Sequence, residues 1–302
     1  MANWKISAFG PKVVIRAALL AHEGAEDWDW DIVLTGSEVA EDRPDDWVLQ
    51  AYLPRKPTRG DKAAITALFE DEVPEFQIQQ LPDADWVSES QKGVDPIRAG
   101  KFFVHTPEFS PSAEPGITSF TIPASQAFGT GQHATTAGCL RMLTAMRRRG
   151  LAPRVVADIG TGTGLLAFAA LDLWPRAIAT ASDIDAVCVG VVEDNAEQNG
   201  IPLGSGPGAL TMVVADGMDD PLLQARGPYD LLIANILAGP LVELAPAFAR
   251  AVPSGGSLLL AGLLETQEQA VRRAYRREGF RLAARLVNGD WSILWLRRRS
   301  GR

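Results

Sequence analysis

Glycines at alternate positions follow a short apolar run near the middle of the chain. The motif reads Asp158-Ile-Gly160-Thr-Gly162-Thr-Gly164, and Asp183 ends the next apolar run. Glycines in such a turn let a nucleotide-like ligand approach the backbone, and the start of the following helix offers unpaired amide donors. A carboxylate at the position of Asp183 can accept hydrogen bonds from the two hydroxyls of an adenosine ribose. The spacing therefore predicts a site for an adenosine-containing cofactor.

Two features distinguish between the cofactors that this motif could hold. Dinucleotide-binding enzymes have glycine at the sixth position of the motif, where this chain has Leu165. Their fold also lacks a terminal antiparallel hairpin, which this sequence predicts around Asn288-Gly289-Asp290. Both features favour S-adenosylmethionine over a dinucleotide. The alternative is a glycine turn that binds no ligand.

A second glycine-containing segment comes directly before a predicted helix. It includes Phe128, Gly129, Gly131, His133 and Thr135. The glycines allow a tight backbone path, and Thr135 could cap the helix or bond a ligand carboxylate. His133 could be a general base, a substrate contact or a structural hydrogen-bond donor, and these three roles stay open at this point.

An asparagine ends the fourth of the predicted parallel strands. Ligands in open α/β sheets bind outside the carboxyl ends of the strands, so we expect Asn235 beside Gly160 and Asp183. Its side-chain amide can accept a hydrogen bond from an attacking amine and hold the lone pair of that amine in line with a methyl group. The alternative is a turn-forming asparagine ahead of Pro240.

Apolar strands alternate with helices after residue 130, which predicts a parallel sheet covered by helices on both faces. The strands are predicted at 155–159, 177–182, 210–216, 229–235 and 257–264. Asp185 is predicted to cap the helix that ends at Asn199-Gly200. Two further strands at 281–287 and 291–297 are predicted to form an antiparallel hairpin. The pattern predicts an α/β fold that closes with this hairpin.

The first eighty residues predict a separate α+β unit with a small antiparallel sheet. Its strands are predicted at 4–10, 47–53 and 76–81, and a helix at 61–70 with Asp61 as its cap. We place the first domain at 1–82, a linker at 83–96 and a second domain at 97–302. The proline- and serine-rich loop between the predicted strands 101–106 and 117–122 is the alternative position for the boundary.

Charge is distributed unevenly along the chain. The 37 acids and 29 bases give a net charge of −8, which argues against non-specific binding of nucleic acid through phosphates. Residues 1–95 hold 19 acids and 9 bases, whereas residues 96–302 hold 18 and 20. The segment from Glu23 to Asp46 is either a solvated loop or edge, or a docking surface for a cationic partner. We interpret the arginine runs at 147–149 and 297–299 as solvated.

Composition favours a globular protein of the reducing cytoplasm. The 302 residues are 46% hydrophobic and 22% charged, which allows a core of normal size and excludes wholesale disorder. Cys139 and Cys188 form no metal or disulfide pattern. A secretory leader and an apolar run approaching 18 residues are both missing, so we expect neither secretion nor membrane insertion. We expect a monomer, because heptads are not found.

The motifs together resemble those of the ribosomal protein L11 methyltransferase family. The resemblance is carried by FGTGQHATT (128–136), DIGTGTGLLAFAA (158–170), SDID (182–185), ANILAGPLVELAP (234–246) and GDWSILWLRR (289–298). It extends to DWVSESQKG (85–93) and RAGKFFVHT (98–106) and is faint before residue 80. It implies a seven-stranded, Rossmann-like class I methyltransferase domain joined by a linker to a small N-terminal domain that recognises the substrate.

The resemblance also implies an activity and a set of site residues. The reaction would transfer methyl groups from S-adenosylmethionine to lysine side chains and the N-terminal amine of ribosomal protein L11, free or on the ribosome. Positions matching the family's cofactor site are Phe128, Thr135, Gly160, Gly162, Asp183 and Asn235, and Asn235 and His133 are the candidate catalytic residues. No metal, membrane or sequence-specific nucleic acid is implied. The alternatives are methylation of a small molecule or nucleic acid, and a non-catalytic binding module.

Overall fold

The computed structural model describes residues 4–23, 28–29, 32–39, 43, 45–69, 73–80, 96–123 and 134–299. Contacts between residues divide the chain into two compact units, Met1–Glu89 and Ser90–Arg302. All but the last residue of the linker predicted at 83–96 lies outside the described residues, so the predicted domain boundaries stay predictions. Among the described residues, no helix is long and apolar enough to cross a membrane.

The first unit contains an antiparallel four-stranded sheet. Its elements are β1 (Trp4–Pro11), α1 (Lys12–Glu23), β2 (Val33–Glu38), β3 (Asp46–Leu53), α2 (Arg59–Thr66) and β4 (Phe76–Gln80). The strand order is β2-β3-β1-β4, so β2 and β4 are the edges. Ile6, Ile15 and Leu49 are fully buried in a core between the sheet and the helices. The small antiparallel sheet agrees with the α+β expectation for this region.

The cap predicted for the helix of this unit is wrong. α2 begins at Arg59, and its N-cap is Thr58, whose hydroxyl accepts a hydrogen bond from the Asp61 amide at 3.2 Å. The Asp61 carboxylate accepts from the Thr58 amide at 2.6 Å and so completes a capping box from the third helical position. Asp61 is also held by Arg55, at 2.5 Å. The helix therefore starts one half-turn earlier than the sequence predicted.

The second unit is built around a seven-stranded sheet. Its strands are β8 (Val155–Ile159), β9 (Ile178–Asp183), β10 (Leu210–Val214), β11 (Leu231–Asn235), β12 (Ser257–Leu264), β13 (Phe280–Asn288) and β14 (Trp291–Arg298). The order is β10-β9-β8-β11-β12-β14-β13. Pairing is parallel from β10 to β12 and antiparallel for β14 with both of its neighbours. This confirms the predicted parallel sheet with a terminal antiparallel hairpin.

Helices connect these strands and cover both faces of the sheet. They are α3 (Ala134–Arg148), α4 (Leu165–Leu173), α5 (Val187–Gln198), α6 (Pro221–Arg226), α7 (Ala238–Glu243), α8 (Ala245–Ala251) and α9 (Glu265–Arg277). Two separate apolar clusters form the core on the two faces. The Asp185 carboxylate accepts from the Val187 amide at 2.9 Å at the start of α5, and Gly200 (φ +64°) follows its end as predicted.

A small sheet of three strands precedes α3. It consists of β5 (Ile97–Ala99), β6 (Phe102–His105) and β7 (Thr118–Thr121), with β6 in the centre. Lys101 forms an ion pair of 2.7 Å with Asp172 on α4, and Asn199 after α5 exchanges two hydrogen bonds with the backbone of Thr121. These contacts attach the small sheet to the helices of the second unit.

Candidate functional site

The glycine motif forms a tight turn between β8 and α4. Gly160, Gly162 and Gly164 have φ angles of +70°, +56° and +84°, which side-chain-bearing residues rarely adopt. A Cβ on Gly160 would lie 2.3 Å from Cγ2 of Ile236. The amide of Gly160 donates to the carbonyl of Ser182 at 2.8 Å, so the turn is anchored to the end of the neighbouring strand β9. Positive φ and a close neighbour together explain why glycine is required at position 160.

Asp183 is attached to this turn. Its Oδ2 accepts from the Gly162 amide at 2.9 Å, and its Oδ1 accepts from the Asp185 amide at 3.1 Å. An ionised carboxylate offers about four lone-pair positions, so both oxygens keep capacity for further donors. The side chain is half-buried and rigidly oriented by the backbone. This arrangement suits recognition of a diol, such as that of a ribose.

Asp158 lies beneath the same turn and is 1% exposed. Its Oδ2 accepts from the Thr161 hydroxyl at 2.7 Å and from the Ala167 amide at 3.1 Å, whereas its Oδ1 has no hydrogen-bond partner. Burial raises the pKa of this carboxyl to about 7, although the two hydrogen bonds oppose the shift. Asp158 therefore links the glycine turn to the first turn of α4 and titrates near neutral pH.

Asn235 ends β11 and reaches the first turn of α3. Its Nδ2 donates to Oγ1 of Thr136 at 3.2 Å. Its Oδ1 is buried and has no hydrogen-bond partner. A buried amide oxygen without a donor is unfavourable unless something donates to it. The Thr136 contact orients the amide so that its oxygen is available to a donor such as an amine.

The sheet register brings the predicted residues to one crevice. Ser182 pairs with Ile159, and Ile159 pairs with Ala234, so the three residues lie in one row across β9, β8 and β11. Asp183 and Asn235 each follow this row by one residue. Two strand spacings therefore separate them, about 10 Å. The convergence expected from parallel strand topology is present, at the carboxyl edge of the sheet.

A residue that the sequence identifies only as part of the hairpin turn holds α3 against this crevice. Asn288, at the turn of the terminal hairpin, donates from Nδ2 to the Ala134 carbonyl at 2.8 Å. Its Oδ1 accepts from Arg141 of α3 at 3.3 Å. On the same face of α3, a Cβ on Gly138 would lie 2.4 Å from Cδ1 of Ile293, so helix and hairpin are in close contact. The hairpin thus sets the position of the helix that carries Thr136.

A family model described as ribosomal protein L11 methyltransferase (PrmA) matches residues 15–299. The chain belongs to this family. The ribosomal protein L11 methyltransferase of Rhizobium meliloti (strain 1021) is 36% identical over 270 residues, which cover 89% of this chain and 90% of the relative. That of Brucella suis (strain ATCC 23445 / NCTC 10510) is 39% identical over 224 residues, 74% of this chain and 75% of the relative. The resemblance inferred from the motifs is therefore confirmed.

A solved structure supports the same assignment. The crystal structure of the ribosomal protein L11 methylase from Lactobacillus delbrueckii subsp. bulgaricus superimposes with a TM-score of 0.57 at 26% identity. It covers 68% of this chain and 98% of that chain. The L11 methyltransferase family thus confirms the α/β class I methyltransferase fold that the sequence predicted.

Not every site residue expected from the L11 methyltransferase family can be located. Phe128 and His133 lie outside the described residues, so the roles of both stay predictions. Thr135 is 2% exposed and lies within the first turn of α3, next to Thr136. Across the part of the chain that the structure describes, no group of three or more His, Cys, Asp or Glu side chains could hold a metal ion.

Apolar side chains are exposed around the crevice. Ile184, Val187, Val214 and Leu237 are 46% to 69% exposed and follow or end strands at the carboxyl edge. Val214 pairs directly with Asp183 in the sheet register. The sequence motifs include Ile184 and Leu237 but assign them no role, although an apolar residue directly after a strand-ending aspartate is a recognisable signal. Exposed apolar surface beside a polar crevice is typical of a ligand site.

Proposed function

We propose that this chain transfers methyl groups from S-adenosylmethionine to amines of ribosomal protein L11. The substrate amines would be lysine side chains and the N-terminal α-amine, and we expect a cytoplasmic monomer. The observation that carries the proposal is Asn235, whose Oδ1 is buried without a partner and whose strand end is two strand spacings, roughly 10 Å, from that of Asp183. Family membership supports the choice of a ribosomal protein as the substrate.

The crevice fits a cofactor that is positively charged and carries a nucleoside. Asp183 would hold the ribose hydroxyls, and the exposed apolar Ile184 and Val214 would pack against the purine. The segments that follow β8 to β11, at 160–164, 184–186, 215–220 and 236–237, contain several aspartates and neither lysine nor arginine. A pyrophosphate would find no cation in these segments. A sulfonium is attracted by the aspartates instead.

S-adenosylmethionine would supply a methyl group that is already activated by its sulfonium sulfur. The chain then has to position a neutral amine in line with that methyl, and positioning of this kind lowers a barrier by several kcal/mol. Asn235 accepts a hydrogen bond from the amine N–H through Oδ1 and so directs the nitrogen lone pair. A free lysine has a pKa of about 10.4. Burial in the crevice lowers that value, and the proton leaves to water.

The N-terminal unit is the proposed site of substrate recognition. The acidic segment from Glu23 to Asp46 includes the edge strand β2, whose Glu38 is 3.8 Å from Lys12. Ribosomal proteins are basic, so acids on an exposed edge would speed encounter with such a partner. Reversal of Glu38, Asp45 and Asp46 to lysine should slow substrate capture, with a larger effect at low salt. An unchanged KM for L11 would make this segment a solvated edge.

A methylation assay with labelled cofactor tests the proposal. Asn235→Ala should lower kcat on isolated L11 by about 100-fold, because an orienting acceptor is lost at the reacting nitrogen. The cofactor Kd, measured by calorimetry, should change less than about threefold. Thr136→Ser, which keeps the hydroxyl that orients Asn235, is the matched control and should retain activity. Full turnover of Asn235→Ala, or label on RNA alone, would overturn the proposal.

A further inference from the structure

The edge of the sheet opposite the crevice is held together by a continuous row of backbone contacts. The Arg154 amide donates to Asp230 at 2.7 Å, and the Ser257 amide donates to the Asp230 carbonyl at 2.9 Å. Further along, the Arg298 amide donates to the Gly256 carbonyl at 2.9 Å. The starts of β8, β11 and β12 and the end of β14 therefore lie side by side. This is the amino edge of the sheet.

Arginines from distant parts of the chain meet at this edge. We name as the arginine edge the three arginines at 147–149 together with Arg154, Arg276, Arg277, Arg297 and Arg299. All of them are exposed. α3 and α9 both end here, which places the arginines of their last turns beside the start of β8 and the end of β14. The guanidinium of Arg149 lies 5.7 Å from the ring centre of Trp295 on β14, so the end of α3 reaches the end of the hairpin.

The positive charge of the arginine edge is not neutralised internally. Within the described residues, no salt bridge joins any of these arginines to a carboxylate. Asp230 lies at the same edge, but its Oδ2 accepts from the amides of Arg154 and Val155. Arg272 and Arg285, in contrast, are paired with Glu268. The eight arginines outnumber the two carboxylates of this edge, Asp230 and Glu278, so the edge has an excess of positive charge.

The residue type indicates which anion fits. Residues 96–302 contain nineteen arginines and a single lysine, Lys101. Arginine is preferred for phosphate because its planar guanidinium forms paired hydrogen bonds with two oxygens. A shallow groove of about 440 Å³ at this edge is lined by Arg154, Asp230 and Ser254 among others. The exposed guanidinium groups of the edge are the donors that a phosphodiester backbone requires.

A membrane surface is less well matched than a nucleic acid. Binding to a bilayer usually requires apolar side chains beside the cations. In this unit, the most exposed large apolar side chains are Ile184, Leu237 and Val187, which all lie at the carboxyl edge. The arginine edge is thus polar, as expected for a surface that contacts phosphates without insertion.

We infer that the arginine edge binds the phosphate backbone of RNA. The choice of RNA over DNA rests on the proposed function, because a ribosomal protein acts beside ribosomal RNA. The five residues of β8 separate the two edges by about 17 Å. RNA bound at the arginine edge would therefore leave the crevice open for a substrate amine. The net charge of −8 hides this surface, because the acids lie elsewhere in the chain.

Fluorescence anisotropy with a labelled RNA hairpin of about 25 nucleotides tests the inference. The full chain should bind at about 50 mM salt. The logarithm of its association constant should fall by roughly 0.7 to 0.9 for each phosphate contact with every tenfold rise in salt concentration. The double variant Arg148→Gln/Arg276→Gln should bind about tenfold more weakly, with a smaller salt slope. Lys62→Gln/Arg98→Gln removes the same charge from exposed positions outside the arginine edge and should bind as the unchanged protein does.

The outcomes separate this inference from the proposed function. Both double variants should unfold cooperatively and methylate isolated L11 at the unchanged rate, because neither touches the crevice. Equal RNA affinity of the two double variants would overturn the inference. So would no binding by the unchanged protein, tighter binding to vesicles of phosphatidylglycerol, or equal affinity for a DNA duplex of matched length. Failure to methylate L11 would overturn the proposed function and leave the RNA result standing.

Discussion

The two edges of the seven-stranded sheet are built from opposite ends of the same strands, and their charges are opposite. The carboxyl edge collects aspartates, among them Asp183, Asp185 and Asp216, and buried oxygens without partners on Asp158 and Asn235. The amino edge collects exposed arginines at the carboxyl ends of α3 and α9, where the helix dipole favours cations. The two proposals thus assign a cationic cofactor to one edge of the sheet and an anionic partner to the other. The difference between the two edges shows that the net charge of the whole chain predicts the charge of neither.

Arginines that pair with a carboxylate should stabilise the fold, whereas those of the arginine edge should not. Substitution of Glu268, which pairs with two arginines, tests this difference and should have the largest effect on stability. Glu268 is 6% exposed and accepts from Arg285 at 2.5 Å, Ser292 at 2.8 Å and Arg272 at 2.9 Å. Burial alone would raise its pKa, but these donors lower it below the ordinary value. Glu268→Ala should lower the free energy of unfolding by about 3 kcal/mol, because the buried hydroxyl of Ser292 and two partly exposed guanidinium groups lose their shared acceptor.

Urea unfolding measures this change. The control is Glu265→Ala, which removes a 47% exposed carboxylate that pairs with Arg285 and should cost less than about 1 kcal/mol. Arg148→Gln/Arg276→Gln should also cost less than about 1 kcal/mol, because these arginines lack a buried partner. If it cost as much as Glu268→Ala, the arginine edge would be structural.

Substitution of Asp183 should have the next largest effect, on cofactor affinity, and it tests the carboxyl edge. Asp183→Asn should weaken S-adenosylmethionine binding by about 30-fold, about 2 kcal/mol, because a charged acceptor for the ribose hydroxyls is lost. Calorimetry gives the Kd. Asp185→Asn is the matched control, since this carboxylate contacts the Val187 amide and only its backbone contacts Asp183. An equal loss of cofactor affinity in both variants would mean that the negative charge of the carboxyl edge, and not a contact with the ribose, causes the effect.

Asn288 gives a smaller effect, because it acts on the crevice through α3. Asn288→Ala removes the hydrogen bond to the Ala134 carbonyl and should raise the KM for the cofactor about fivefold, about 1 kcal/mol. The value of kcat should change less than about twofold. Asn288→Asp should not restore the KM, because a carboxylate cannot donate to a carbonyl. A change in kcat alone would contradict a positioning role.

The sequence predicts the strands of the sheet well and the contacts between them poorly. Apolar runs such as 155–159 and the Asn-Gly turn at 288–289 are local signals, and the structure agrees with both. The hydrogen bond between Asn235 and Thr136 spans 99 residues, and the one between Asn288 and Ala134 spans 154. Strand topology places Asn235 at the crevice, but side-chain partners at such separations leave no local pattern.

The arginine edge is a second feature that the sequence did not predict, for a different reason. The sequence analysis interprets the runs at 147–149 and 297–299 as solvated, and the structure agrees except at Arg298, which is partly buried and donates to the carbonyls of Ala249 and Val252. The two runs form a shared surface only in the folded protein, where the sheet places both of them beside Arg154 and the end of α9. Asp61 illustrates the opposite case, a purely local one. The sequence analysis names Asp61 as the cap, whereas the structure has Thr58 at the N-cap and Asp61 three residues later in the capping box.

Substitution of Asp158 should have the smallest effect, which is a change in how the free energy of unfolding depends on pH. Because burial raises its pKa to about 7, the folded protein holds a proton that the unfolded chain has released at neutral pH. The stabilisation from this proton is present at low pH and is lost as pH rises through 7. Between pH 6 and pH 8 the free energy of unfolding should fall by about 1 kcal/mol from this group. Asp158→Asn keeps an acceptor for Thr161 and Ala167 and should remove that fall.

Urea unfolding of both proteins at pH 6 and pH 8 measures the difference. A saturating cationic cofactor should shrink it, since a positive charge near Asp158 favours the ionised form and lowers its pKa. The arginine edge predicts no such linkage, because guanidinium groups stay charged throughout this range. If Asp158→Asn kept the same pH dependence as the unchanged protein, the carboxylate would already be ionised at pH 6. The carboxyl edge would then carry its negative charge in the absence of the cofactor.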